Sequence, residues 1–309
     1  MFNNILETVG NTPLVKLNKI TKDLGRNIYV KIEGINPSGS IKIRPALNMI
    51  KTAEKQGLIN SESTIVEYTS GNQGIGLACV CAVLGYKCKI VMPSIMSEER
   101  KKIIRAYGAE VICTDSSGTI TEAFERAKEK GLEIASQNEN HFLAGQFENQ
   151  ANPEAHKDGT AEEIIKQMGE LPLDAFIASA GTGGTITGCA KRLKEAYPNA
   201  VMATAEPEMA AVLTGGKIGE HMQQGIGDGF IPKVLDTSCF SEVEVISDKE
   251  AFETAKRLAR EEGIFCGISS GTNVKAAIEL AKKLPEGSNV VTICVDLGDR
   301  YLSVEGFID

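Results

Sequence analysis

The stretch DAFIASAGTGGTITG, residues 174–188, decides the fold of this chain. Its first six residues form a short apolar run of the kind that makes a buried strand, and three of the next five residues are glycines that favour a turn. The residues from 185 onwards have the pattern of a helix. Because a strand, a glycine turn and a helix are the repeating parts of a parallel sheet, this stretch predicts an α/β protein.

The same alternation continues along the chain. Short apolar runs predict strands at 64–68, 88–92, 109–114, 174–179, 200–206 and 289–295. Amphipathic stretches predict helices near 74–85, 97–107, 119–130, 158–169, 185–196, 248–262 and 273–284. The polar, asparagine-rich stretch 137–155 is interpreted as a loop at the seam between two lobes, where a cleft forms.

Composition and charge exclude several function classes. The chain has 309 residues and a net charge of −8, which argues against nucleic acid or an anionic membrane as the main partner. It contains no apolar run of about 18 residues, as a membrane span requires, and its N-terminus lacks the layout of a signal peptide, so we expect a cytoplasmic protein. Eight scattered cysteines predict reduced core residues, and three distant histidines argue against a zinc site, so we expect no metal.

Three loops follow apolar runs or precede helical patterns, where free backbone N–H groups at a helix start bind anions. The loop at 180–188 lacks the Gly-Lys pair of a nucleotide-binding P-loop, and Ile186 replaces the third glycine of a dinucleotide fingerprint. It fits either a phosphate-binding loop or a tight turn. The loop at 69–74 fits either carboxylate binding or helix capping, and the loop at 267–272 taken alone indicates capping.

One lysine has a position that favours chemistry. Lys42 follows the Gly/Ser turn at 37–40 and begins the helical run RPALNMIKTAEK. A lysine at the positive end of a helix dipole has a lowered pKa, and the neutral amine that results can form a Schiff base. A solvated surface lysine is the alternative interpretation.

Taken together, these motifs resemble the cysteine synthase / cystathionine β-synthase family, whose members are pyridoxal-phosphate enzymes of the tryptophan-synthase-β fold type. The stretches that carry the resemblance span nearly the whole chain: ETVGNTPLVKLN (7–18), NPSGSIKIRPALNMI (36–50), EYTSGNQGIGLA (67–78), GQFENQANPEAH (145–156), GTGGTITG (181–188), EPEMAAVLTGG (206–216), QGIGDGFIP (224–232), GISSGTNV (267–274) and VDLGDRYLS (295–303).

The resemblance implies two lobes, each a mostly parallel twisted sheet flanked by helices, as in fold type II. A smaller mobile lobe is expected at 40–148, and a larger lobe that binds the cofactor phosphate at 1–39 and 149–309. The resemblance also implies a homodimer and docking of the C-terminal tail of serine acetyltransferase in the active site.

The same resemblance assigns roles to individual residues. Lys42 is expected to form the Schiff base with pyridoxal phosphate. The remaining cofactor contacts are expected from Gly181, Thr182, Gly183, Gly184 and Thr185 around the phosphate, Asn72 at the ring hydroxyl oxygen and Ser269 at the pyridine nitrogen. The carboxylate of a small amino-acid substrate is expected to contact Thr69, Ser70, Gln73 and Gln146.

These roles imply β-elimination and β-replacement through an aminoacrylate intermediate. A neutral serine at the pyridine nitrogen makes the ring a milder electron sink, which suits elimination better than transamination. Two motifs depart from the family pattern: Ile43 replaces the aspartate of Lys-Asp-Arg, and Gln73 replaces the last threonine of Thr-Ser-Gly-Asn-Thr.

A third departure concerns the reacting end of the substrate. Where cysteine synthases often have Gly-Ile-Gly-Ala-Gly-Phe, this chain has Asp228 in place of the alanine. A carboxylate there could act as a general base for water or a thiol, or it could point to solvent. The resulting hypothesis is a lyase or transferase that uses L-cysteine as donor, releases hydrogen sulfide and forms lanthionine or serine. The alternatives are an ordinary O-acetylserine sulfhydrylase and a non-catalytic regulatory partner.

Overall fold

The computed structural model describes residues 1–308 and contains two separate sheets. The larger sheet has the strand order β1-β2-β10-β7-β8-β9 and is parallel except for the β1–β2 pair, and the smaller sheet has the order β5-β4-β3-β6 and is parallel throughout. The strands are β1 (Leu14–Lys16), β2 (Asn27–Ile32), β3 (Thr64–Tyr68), β4 (Lys87–Pro93), β5 (Glu110–Thr114), β6 (His141–Leu143), β7 (Ala175–Ser179), β8 (Val201–Pro207), β9 (Glu242–Ile246) and β10 (Asn289–Cys294). The predicted α/β class with two mostly parallel sheets is confirmed.

Helices flank both sheets. They are α1 (Ile43–Lys55), α2 (Asn72–Leu84), α3 (Glu98–Ala106), α4 (Ile120–Ser136), α5 (Ala151–Ala155), α6 (Glu162–Met168), α7 (Gly184–Ala196), α8 (Asp248–Arg257) and α9 (Ile268–Lys282). A wide helical turn at 156–161 joins α5 to α6, so these two helices continue one another. All strands of the smaller sheet lie within 40–148, and those of the larger sheet lie outside that range. The mobility of the smaller lobe stays a prediction.

The larger sheet separates two hydrophobic clusters, because successive strand residues point to opposite faces. Ile177 and Val290 pack into the cluster that includes residues of α8 and α9, and their neighbours Phe176 and Val291 pack into the cluster that includes residues of α6 and α7. All four side chains are fully buried. This two-sided burial explains why β7 and β10 are continuous apolar runs in the sequence.

The interpretation of 137–155 as a loop is wrong at two places. Residues His141–Leu143 form β6, which pairs with β3 at the edge of the smaller sheet, and Ala151–Ala155 form α5. The helix predicted near 273–284 begins five residues earlier, at Ile268, so most of the loop expected at 267–272 is helical. Both differences arise because pairing and packing with distant residues add order to short polar segments.

Candidate active site

A cleft lies where strands of both sheets end. The loop after β3 and the loop after β7 reach it from the two sheets, and in parallel sheets such loops gather at the carboxyl ends of the strands. Nearly all of the predicted site residues line the cleft, namely Lys42, Thr69, Ser70, Asn72, Gln73, Gln146, Gly181, Thr182, Gly183, Thr185, Asp228 and Ser269. Gly184 does not line it; this residue begins α7 and packs against Asn152 instead.

Lys42 directly precedes α1 and points into the cleft. Burial lowers the pKa of its amine, while the carboxylates of Asp228 and Asp296 oppose that shift. The lowered pKa agrees with the sequence prediction. Its main cause is desolvation, and not the helix dipole on which that prediction was based. Gly76 of α2 permits this placement, since a Cβ there would lie 3.0 Å from the Lys42 carbonyl oxygen.

The loop at 181–185 forms a cradle, and only glycine fits at positions 181 and 183. A Cβ on Gly181 would lie 2.4 Å from the Gly225 carbonyl oxygen, and Gly183 has a φ of +84° with its Cβ position 2.6 Å from Leu235. The loop then leads into the N-terminus of α7, whose first N–H groups have no partner within the helix. Backbone donors at such a helix start fit a phosphate group, so the cradle fits the cofactor phosphate.

Two residues that support this cradle were missed by the sequence analysis. The amide of Asn152 donates to the Thr182 hydroxyl at 3.0 Å and to the Gln146 carbonyl at 2.8 Å, so it ties the cradle to the segment that carries Gln146. His156 is buried, and its Nε2 lies 3.4 Å from the Thr185 hydroxyl. Burial lowers the pKa of His156 well below its usual range, so the imidazole is neutral. Both residues lie in GQFENQANPEAH, which the resemblance had singled out only for Gln146.

The loop at 69–73, whose last two residues begin α2, holds a side chain that lacks a partner. Both amide atoms of Gln73 are buried without a hydrogen bond in the described structure, and the residue is 1% exposed. Leaving a buried amide unpaired costs about 1–3 kcal/mol, so a ligand that pairs with it is favoured. Because Gln73 lines the cleft, this unpartnered amide fits the predicted contact with a substrate carboxylate.

Asn72 is held by hydrogen bonds to the segment that follows β10. Its Nδ2 donates to Asp296 Oδ2 at 2.6 Å, and its Oδ1 accepts from Arg300 at 2.6 Å. Asp296 also accepts from the Tyr301 hydroxyl at 2.7 Å, while its Oδ1 is buried without a partner. Asp296 and Arg300 lie in the motif VDLGDRYLS, but the resemblance assigns neither of them a role. The predicted contact of Asn72 with the cofactor ring stays a prediction.

Ser269 lies in the first turn of α9 and is 3% exposed. Its neighbour Ser270 accepts a hydrogen bond from the Val295 backbone N–H at 2.9 Å, which fixes the start of α9 against the segment that follows β10. This placement at the cleft wall is consistent with the predicted contact to a ring nitrogen, which stays a prediction.

Asp228 points into the cleft, where it faces Lys42. Burial raises the pKa of its carboxyl, and the nearby amine of Lys42 opposes that shift. His221 stabilises the loop that carries Asp228, since its Nε2 lies 2.9 Å from the Gly227 carbonyl oxygen. Asp228 and Lys42 therefore line the same cleft and interact through their charges.

A second, more apolar cleft adjoins the first. Asp228, Ser70 and Gln224 line both clefts, and the second one also contains apolar side chains such as Ile95 and Phe124. Asp228 thus lies where the two spaces meet.

Other kinds of site are not indicated. Within the described chain, no cluster of three or more histidine, cysteine, aspartate or glutamate side chains could hold a metal ion. No helix among residues 1–308 is long and apolar enough to span a membrane. All eight cysteines are free, and six of them are buried.

Comparisons with known proteins agree with this geometry. The family model described as "Pyridoxal-phosphate dependent enzyme" matches residues 5–296. A cysteine synthase of Staphylococcus aureus (strain N315) is 46% identical over 300 residues, which cover 97% of this chain and 95% of the relative.

Two solved structures are also similar. A hydrogen sulfide-producing enzyme from Fusobacterium nucleatum has a TM-score of 0.92 at 45% identity, with 98% of this chain and 100% of that chain covered. An O-acetylserine dependent cystathionine beta-synthase from Helicobacter pylori has a TM-score of 0.93 at 38% identity, with 100% of this chain and 99% of that chain covered.

Proposed function

We propose, from the premise that this chain belongs to the family of pyridoxal-phosphate dependent enzymes and is cysteine synthase-like, that it uses L-cysteine as donor. In this proposal the enzyme breaks the Cα–H and Cβ–S bonds of cysteine and releases hydrogen sulfide. Addition of water to the remaining carbon skeleton gives L-serine, and addition of a second cysteine through its thiol gives lanthionine. Each cysteine consumed as donor thus gives one hydrogen sulfide and one serine or lanthionine.

The observation that carries this proposal is the position of Asp228 opposite Lys42, at the junction of the two clefts. Its raised pKa makes the carboxylate a stronger base than an exposed aspartate. Water and a neutral thiol must lose a proton as they attack, so both gain from such a base. Sulfide is already a strong nucleophile, and its anionic form would be repelled by the ionised carboxylate.

Pyridoxal phosphate, when bound, supplies the electron sink for breaking the Cα–H and Cβ–S bonds of the amino acid. Lys42, the cradle at 181–185, Asn72 and Ser269 would hold it. The residues of this chain then perform the proton transfers. The neutral amine of Lys42 accepts the substrate α-proton, and Asp228 takes the proton of the attacking water or thiol.

Binding of the substrate falls to the loop that follows β3. Thr69, Ser70, Gln73 and Gln146 would hold the α-carboxylate, with the Gln73 amide gaining the partner that it lacks in the described structure. The backbone of Gln146 is fixed from two sides, by the Glu67 carboxyl at 3.1 Å and by the Asn152 amide at 2.8 Å. A carboxylate held in this way keeps the Cα–H bond directed at Lys42.

The solved structure that is described as a hydrogen sulfide-producing enzyme supports this donor choice by its similarity over 98% of the chain. The second candidate is ordinary cysteine synthesis from O-acetylserine and sulfide. It is favoured by the names of the relatives at 45–46% identity. The homodimer, the cytoplasmic location and docking of the acetyltransferase tail stay predictions from the resemblance.

The test is to give the purified holoenzyme L-cysteine alone, then measure released sulfide and identify the amino-acid product by mass spectrometry. Sustained sulfide release with equimolar serine or lanthionine supports the proposal. Absence of sulfide from cysteine, together with rapid cysteine formation from O-acetylserine and sulfide, would favour the second candidate.

The variant Asp228→Asn tests the base role, because it keeps the shape of the side chain and removes its basicity. We expect the rate with cysteine to fall by about a hundredfold or more, as for the loss of a general base. The matched control is Glu220→Gln, which removes an exposed carboxylate from the wall of the second cleft only. Equal rates for Asp228→Asn and the unaltered enzyme would show that Asp228 is not the base.

A further inference from the structure

Arg100 of α3 is a buried arginine in the wall of the first cleft, and the proposed mechanism gives it no role. The residue is 2% exposed. One of its terminal nitrogens donates to Gln224 Oε1 at 2.5 Å, and the guanidinium lies 4.9 Å from the centre of the Tyr301 ring. Its Nε is buried with no hydrogen-bond partner. Both of its contacts are therefore with uncharged groups.

The positive charge of Arg100 lacks a counter-charge within residues 1–308, where no carboxylate oxygen lies within 4.0 Å of its guanidinium. A buried charge without a partner is costly, so buried arginines normally pair with acids. Of the other two buried arginines, Arg44 bonds to the carboxylates of Glu33 at 2.6 Å and Glu163 at 2.7 Å, while Arg300 bonds only to uncharged oxygens. Arg100 differs from both because it lines the cleft, where a ligand can supply the anion.

The position of Arg100 indicates which anion this is. Gly71 lies in the middle of the loop at 69–73, and a Cβ there would lie 2.3 Å from Arg100 Cδ. Only glycine lets the loop lie directly against the arginine, and its φ of +149° also favours glycine. Gln73, whose amide atoms are buried and unpartnered, belongs to the same loop. Gly71 thus places the Arg100 side chain directly behind the loop that carries the unpartnered Gln73 amide, where a carboxylate would bind.

We propose that Arg100 is a specificity-determining residue that selects substrates with a free α-carboxylate by supplying the counter-charge from behind the 69–73 loop. This inference rests on the proposed function only because it assumes that the ligand is an amino acid. It holds whether the donor is L-cysteine or O-acetylserine. Through its bond to Gln224, Arg100 also connects the carboxylate loop to the segment that carries Asp228. Arg300, the third buried arginine, does not line the cleft, and its terminal nitrogens donate to the oxygens of Asn72 and Ser38.

The main test is the variant Gln224→Glu, which keeps the shape of the side chain and gives Arg100 an internal carboxylate. The measurement is the calorimetric affinity of the holoenzyme for L-alanine and for L-alaninamide. These two ligands differ in the carboxylate, and alanine carries no β-leaving group, so binding is independent of donor choice. We expect the preference for L-alanine over the amide to fall by about tenfold or more in Gln224→Glu.

Three further variants make the test decisive. Arg100→Gln removes the charge itself and should lower the same preference. Gln224→Leu removes the hydrogen bond without adding a charge, and should change the preference much less than Gln224→Glu. Lys102→Gln removes a positive charge from an exposed position on the same helix and should leave the preference unaltered. Cofactor content and thermal midpoint, measured for each variant, identify any that fail to fold.

An unaltered preference in folded Gln224→Glu and Arg100→Gln proteins would overturn the proposal. It would also be overturned if these variants lost affinity only for an anionic thiol nucleophile, because Arg100 would then serve the second reactant. Failure of sulfide release from cysteine, by contrast, bears on the proposed donor alone, since the alanine measurement involves no elimination.

Discussion

A buried carboxyl group next to the substrate loop should make the stability of this protein fall as pH rises. Glu67 of β3 is fully buried, and its two oxygens accept the backbone N–H groups of Tyr68 at 3.0 Å and Gln146 at 3.1 Å. Burial raises the pKa of Glu67 to about 8, because the loss of hydration outweighs these hydrogen bonds. The group is therefore protonated in the folded protein at neutral pH.

The size of the effect follows from proton linkage. Glu67 has a pKa of 4.5 as its ordinary value and about 8 in the fold, so between these pH values the folded state holds a proton that the unfolded state has lost. The stabilisation is fully present below the ordinary pKa and is lost as pH rises through the folded one. Each pH unit in the window costs about 1.4 kcal/mol, which gives about 2.7 kcal/mol between roughly pH 5.5 and pH 7.5.

The variant Glu67→Gln tests this, because its side chain is neutral at every pH. Urea unfolding of the holoenzyme, followed by circular dichroism over about pH 5.5 to 8.5, gives the unfolding free energy of both proteins. The free energy of the unaltered protein minus that of the variant should fall with the slope given above, since other titrations cancel. Glu62→Gln, at an exposed position before β3, should show no such change. A flat difference would mean that Glu67 is ionised throughout, which refutes the reasoning.

Two further substitutions test the surroundings of the site. In Gly76→Ala the new Cβ lies 3.0 Å from the Lys42 carbonyl oxygen, so we expect the lysine to shift and the visible absorbance of the bound cofactor to fall at equal protein concentration; unchanged absorbance would contradict this. Glu163→Gln removes the carboxylate that pairs with Lys31 and Arg44, at a cost of about 3–5 kcal/mol in urea unfolding. These partners lower the pKa of Glu163 to about 2. Its contribution to the free energy of unfolding should therefore be present above its ordinary pKa of 4.5 and be lost as pH falls towards 2. The variant should not show this loss of stability at acid pH.

The long apolar runs made much of the fold predictable from the sequence. The strands β3, β7 and β10 lie within a residue of their predicted bounds, because strands that are covered on both faces are mostly apolar. β2 was missed, since Lys31 interrupts its apolar pattern. In the fold that lysine is fully buried and bonds to Glu163 at 2.7 Å, which lies 132 residues away. No local pattern reports a partner at that distance.

The candidate site also contains residues that sequence motifs indicated and residues that only the fold brought in. The resemblance pointed to the residues on the loops, because each lies in a short motif with its neighbours. Asn152 and His156 lie in the motif GQFENQANPEAH but were not assigned roles, since only the packing of α5 and the turn after it brings them against Thr182 and Thr185. Arg100 lies outside the motifs and reaches the cleft from α3. Arg100 stands among other charged residues in SEERKK, where a solvated helix face is the ordinary expectation.

The sequence by itself determined the α/β class, the family and the chemical groups that the site can use, because periodicity, glycine turns and motifs are local properties of the chain. Only the tertiary structure decided that Asp228 points into the cleft, that burial is the main cause of the lowered pKa of Lys42, and that Arg100 and Gln73 lack partners. These properties depend on how far each side chain is removed from water and on distances of a few ångströms between side chains. Packing between residues far apart in the chain sets the desolvation and the distances.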